Sequence, residues 1–123
     1  MTTIHRNDGT GWHVAAPPGE APLESVEASW SGAGRKFLAQ GEGGFYAQLV
    51  RIPPGFEAPA HSHDHSEVFM VLEGGCTFSG EEMGRFDMTV VEANEPYGFV
   101  AGPDGLLFLV VRQAPASYAE AGS

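Results

Sequence analysis

Glycine and proline recur so often in this chain that they limit what it can become. Seventeen glycines and nine prolines are spread over 123 residues, and no long helix can be drawn without enclosing one of them. Glycine weakens a helix interior and proline breaks it, so the spacing predicts short strands joined by turns. From Lys36 onward the segments KFLAQ, FYAQLVRI, EVFMVLEG, CTFS, MTVVEA, YGFV and LLFLVVR are each bounded by Gly, Pro, Asn or Asp. Seven or more such segments predict an all-β sandwich or barrel.

Alternation along the segments says which side chains share a face. In FYAQLVRI, Phe45, Ala47 and Leu49 fall on one side and Tyr46, Gln48 and Val50 on the other, which either meets solvent or lines a polar cavity. The run Leu106 to Val111 is apolar on both faces, as in a central strand or a dimer interface. Before the strands, residues 1–34 read as an arm that packs on the domain, with Trp12 and Trp30 as anchors and one possible strand from Val26 to Trp30. Residues 35–114 form the barrel domain, and 115–123 a surface tail.

Charge excludes several functions. Six basic residues against sixteen acidic ones give a net charge of −10, which repels nucleic-acid phosphates and anionic membranes. Cys76 is the only cysteine, so an intramolecular disulfide, a Cys-x-x-Cys pair and a thiolate zinc site are all excluded, and the thiol reads as a small buried apolar group. The N-terminus lacks a secretory apolar region and the longest apolar run is too short to cross a bilayer, so the expectation is a soluble cytoplasmic protein.

Metal-ligand side chains concentrate between Gly55 and Gly74. His61 and His63 are two apart, so on an extended strand both imidazoles project to one side, with backbones about 7 Å apart. Asp64, His65 and Ser66 suit a turn, after which Glu67 begins the next strand and comes back toward the two histidines, while His65 points elsewhere. Two imidazoles and a carboxylate with open positions are the ligand set of non-haem iron(II) oxygenases, and manganese, nickel, copper and zinc accept it too.

Gly55, His61, His63, Glu67 and Gly74 stand at the spacing of the first motif of the cupin superfamily, which this chain resembles from about Phe45 to Arg112. The resemblance implies a cupin-type jelly-roll β-barrel, a double-stranded β-helix, with His61, His63 and Glu67 holding one divalent transition metal ion inside, iron(II) foremost. The second motif is similar at Asp87 and Pro96, but Tyr97 stands where the family's last histidine would be, and Glu92 where proline is common. Tyr97 is then a phenolate ligand, a neutral acid or base beside the metal, or an aromatic filling the wall, while His65 is an alternative replacement for the missing imidazole that its place in the turn disfavours. Phe69 shares parity with Glu67 and Phe99 with Tyr97, so both either narrow the cavity or pack the core. Tyr46, Gln48 and Arg51 complete the candidate substrate pocket, Arg51 only if it points inward.

These expectations describe a small homodimeric metal-binding cupin without nucleic-acid or membrane partners. Its activity would be that of a mononuclear metal-dependent oxidoreductase, dioxygenase-like, on a small chelating organic molecule. The alternatives are a non-redox lyase or isomerase with Tyr97 as acid or base, and a non-catalytic barrel that holds a small ligand.

Overall fold

The structure, a computed structural model, describes residues 2–12, 33–115 and the backbone of 119–120. The possible strand Val26–Trp30 and the anchor Trp30 lie outside the described residues. The strands are β1 (Gly34–Gln40), β2 (Tyr46–Ile52), β3 (Glu57–Ser62), β4 (Glu67–Phe78), β5 (Glu81–Met83), β6 (Met88–Val91), β7 (Tyr97–Arg112) and β8 (Ala119–Glu120). All the pairings are antiparallel: one path runs β1-β2-β7-β3-β8, and β4 pairs with β5, β6 and β7.

Two strands are longer than the turn signals predict. EVFMVLEG and CTFS join as β4, and YGFV and LLFLVVR join as β7. The glycines between them bend the strands instead of ending them. Gly74 has φ +69°, and a Cβ there would lie 2.1 Å from Gly105 O, so the two backbones cross at a distance that only glycine permits. The β4–β7 register shifts on both sides of this crossing, between Val71 and Glu73 and between Gly74 and Cys76.

That bend closes the barrel. Glu67 is paired with Arg112 at one end of the β4–β7 ladder, and Phe78 with Phe99 at the other. A straight β4 would hold its ends roughly 37 Å apart. Yet Phe78 stacks on Tyr97, and the Tyr97 hydroxyl donates to Glu67. The ribbon is therefore rolled until its ends meet, which is the jelly-roll arrangement that the cupin resemblance implies.

Alternation decides what fills the roll. Gln48, Val50 and Ile52 of β2, Phe69 and Val71 of β4, and Leu106, Phe108 and Val110 of β7 are all buried, whereas Phe45 is exposed. The uncommitted face of β2 is thus the interior one, and β7 is a central strand, paired with β2, β3 and β4. Phe69 lies between Phe108 (ring centroids 4.2 Å apart, stacked) and Phe78 (5.1 Å), with Phe99 at 5.8 Å. This aromatic cluster, with the aliphatic chains around it, supplies the apolar burial that drives the roll to close.

Residues 2–12 run along the outer face of β1 and β2. Lys36 Nζ donates to Asn7 O (2.7 Å) and Oδ1 (2.9 Å), and the Trp12 ring lies 4.9 Å from Lys36 Nζ and 4.4 Å from the Arg51 guanidinium. At the other end of the chain, Ala119–Glu120 pairs with β3 at His61 and Ser62. The tail expected on the surface therefore adds a short strand beside the histidines. Among the described residues no helix is long and apolar enough to cross a membrane.

Candidate metal and acid–base site

Three strands bring the candidate residues together, and register explains how. His61 on β3 is the cross-strand partner of Tyr97 at the start of β7, and Glu67 at the start of β4 is the partner of Arg112 at the end of β7. Partners in a ladder share a face, so all four side chains point into the roll. His61, His63, Glu67, Tyr97 and Arg112 are each less than a tenth exposed.

The hydrogen bonds form a chain. Arg112 Nε donates to Glu67 Oε2 (2.6 Å), and Tyr97 Oη donates to Glu67 Oε1 (2.6 Å) while lying 3.3 Å from His63 Nε2. His61 Nδ1 donates to Pro59 O at 2.9 Å, which fixes the tautomer and leaves the Nε2 lone pair pointing away from that carbonyl. The His61 ring lies edge-on to His63 (5.1 Å) and 4.5 Å from Tyr97. Burial lowers the His61 pKa from 6.5, outweighing the hydrogen bond to Pro59 that would raise it.

The donors can be compared with what a divalent cation requires. Among the described residues no group of three His, Cys, Asp or Glu side chains is closed around one point, and Glu67 gives one oxygen to Arg112 and the other to Tyr97. In kind the donors fit, and one pair of them is within reach of a shared ion. His63 Nε2 and Glu67 Oε1 are 3.8 Å apart, inside the span of roughly 4 Å that two ligands with bonds of about 2.0–2.2 Å can have across one ion. Tyr97 Oη lies near both.

Several sequence expectations change. His65 does occupy the bend after His63, but its ring does not point away. The side chain is only 13% exposed, its centroid is 6.1 Å from that of His63, and Nδ1 donates to Asp64 Oδ1 at 2.7 Å. Arg51 is exposed and stacked on Trp12, so it lies outside the barrel interior. A groove of about 440 Å³ lined by Trp12, Arg51, Pro54, Glu73 and Leu107 lies beside it, away from the imidazoles. Tyr46 is half-buried with its phenol against Gly41, whereas Gln48 is buried and accepts a hydrogen bond from Arg35. Phe69 and Phe99 belong to the aromatic core, and the ring stacked on Tyr97 is Phe78 (5.0 Å, 15°).

Arg112, Arg35 and Phe78 were missed as site residues. Arg112 had a signal, since it continues the interior parity of Phe108 and Val110. A charged residue on that parity at the end of an apolar strand must be paired or exposed.

A rolled antiparallel ribbon with buried histidine, glutamate and tyrosine at its closure defines the class: a small jelly-roll barrel with an interior site. The chain belongs to the cupin family, whose cupin domain model matches residues 48–112. Solved structures agree on the fold. KdgF from Halomonas sp. superposes with a TM-score of 0.68 at 20% identity, covering 94% of this chain and 96% of that one. The polyketide cyclase RemF from Streptomyces resistomycificus gives 0.72 at 24% identity, covering 100% and 87%. An RmlC-like cupin from Shewanella frigidimarina gives 0.67 at 20% identity, covering 91% and 90%. No curated protein matches the chain in sequence.

Proposed function

We propose that the cavity is the active site of a metal-assisted enzyme that moves a proton on a small, chelating organic molecule, as a lyase or isomerase does. The observation that carries this reading is the position of Tyr97 Oη, 2.6 Å from Glu67 Oε1 and 3.3 Å from His63 Nε2 in a buried setting. A hydroxyl held between a carboxylate and an imidazole can give up its proton and recover it without side-chain rearrangement.

His61, His63 and Glu67 would hold the ion. When bound, a divalent cation supplies Lewis acidity toward a substrate oxygen. The remaining work falls to the chain. Arg112 orients Glu67, Glu67 positions the Tyr97 hydroxyl, and Tyr97 Oη lends its proton to the substrate and takes it back at the end of the cycle. Phe78, stacked on the phenol, restricts water around it. No electrons leave or enter, so no oxidant is needed.

Two features favour oxygen-dependent oxidation as a second reading: the donor set of two imidazoles and a carboxylate, and the aromatic wall behind it. Metal analysis, proton exchange and oxygen uptake separate the two. Purified protein should carry near one equivalent of a divalent metal, and His61→Ala should lose most of it. Tyr97→Phe should keep the metal yet lose about 10²-fold or more in deuterium exchange at the carbon next to the carbonyl of small 2-oxo compounds. Oxygen consumption with such compounds would select the second reading, and full metal retention in His61→Ala would overturn the site.

A further inference from the structure

β1 brings a second guanidinium to the interior face of the roll. Arg35 is the cross-strand partner of the buried Val50, so it projects into the roll, while Lys36 beside it projects outward to the N-terminal arm. Arg35 Nη1 donates to Gln48 Oε1 at 3.3 Å. Its Nε is buried and has no hydrogen-bond partner among the described residues, and no carboxylate there pairs with it.

The charges in this part of the barrel do not balance. Among the described residues, the carboxylate bonded to Tyr97, Glu67, is matched by Arg112 at 2.6 Å. Arg35 is therefore a surplus cation, and its surroundings oppose it: burial and the nearby Arg112 guanidinium lower its pKa, with Tyr97 only partly offsetting them. A partly buried guanidinium without a counter-ion is costly. With Nη1 given to Gln48, the edge formed by Nε and the second terminal nitrogen is the one that takes a carboxylate through two parallel bonds.

We propose that Arg35 is the recognition residue for a carboxylate group on the substrate, so that the cavity selects small organic acids over their neutral analogues. The inference names the substrate class for the function proposed above and rests on that reading only in placing the substrate in this cavity. Arg35 sits on the strand next to Gln48 and shares its interior face. The recognition group and the proton-moving group then reach the substrate from different strands.

Ligand binding and metal content of the same samples test this together. Acetate, pyruvate and malonate are titrated at millimolar concentrations into the native chain, with methyl pyruvate as the neutral control. At least one carboxylate should bind and raise the melting temperature, and methyl pyruvate should do neither. Arg35→Gln should weaken that binding by about tenfold or more, as expected for loss of a charge-assisted pair, and Arg35→Lys should fall between. Without an added acid, Arg35→Gln should melt no lower than the native chain, because one of two like charges has been removed. Equal affinity in Arg35→Gln, equal binding of the ester, or no binding of any of the acids overturns the inference. Arg35-dependent binding in protein that holds no metal would sustain it while removing the metal-assisted reading. Normal metal content with binding indifferent to Arg35 would do the reverse.

Discussion

Arg112 and Glu67 face each other across the β4–β7 ladder and join through a 2.6 Å hydrogen bond, with side chains 7% and 0% exposed. A pair this deep gains little net stability by existing, because both charges were taken out of water. Breaking it is another matter, since the remaining charge is stranded. Arg112→Met should therefore destabilise the fold by about 3–5 kcal/mol, and adding Glu67→Leu should recover much of that loss. Urea unfolding of the single and double variants measures both steps. A single variant as stable as the native chain would show that Glu67 has another partner.

Two glycines of the motif should behave differently. Gly74 combines φ +69° with a Cβ position 2.1 Å from Gly105 O, whereas Gly55 has φ +73° and nothing within 4 Å. Gly55→Ala pays only for the left-handed conformation, about 1–2 kcal/mol. Gly74→Ala must also push two backbones apart and should cost several kcal/mol more or prevent folding. Denaturant midpoints of the two variants give the comparison, and equal losses would mean that the crossing can relax.

On the acid side, stability should respond to His61. Burial lowers its pKa from 6.5, so above that value the ring is neutral in both folded and unfolded chains and adds no pH dependence. As pH falls below 6.5, the unfolded chain takes up a proton that folded His61 resists, and stability declines. The decline between pH 7 and pH 5 should be smaller in His61→Gln. An identical slope in the variant would assign the effect to other groups.

Cys76 makes the corresponding statement on the alkaline side. Burial pushes its thiol up to about 11, from 9.0. Since the thiolate is the reactive form, iodoacetamide should label the folded chain far more slowly than the urea-unfolded chain at pH 8. Mass spectrometry of timed samples reads this directly, and comparable rates would place the thiol at the surface.

How much of this was legible in the sequence depends on distance along the chain. The first motif could be read because its five residues are local, and alternation correctly grouped Gln48 with Val50. The full extent of β4 and β7 could not, because Gly74 and Gly105 look like strand ends until it is known that each is the other's neighbour. Arg112 stands far from the motif, and only the closing of the roll brings it to Glu67, while Arg35 is brought to Gln48 by the β1–β2 pairing. His65 was assigned to a turn from composition, yet which way a turn residue faces is set by packing that composition does not record.

Tyr97 opens β7 and Arg112 closes it, and both reach the same carboxylate. A straight strand of that length would hold them roughly 50 Å apart. Glu67 is thus a buckle, fastening both ends of the longest strand to the first residue of its partner. The chemistry of the site and the closure of the barrel draw on one side chain. Whatever competes for Glu67, whether a proton, a cation or a substrate group, also adjusts the tension that keeps the ribbon rolled.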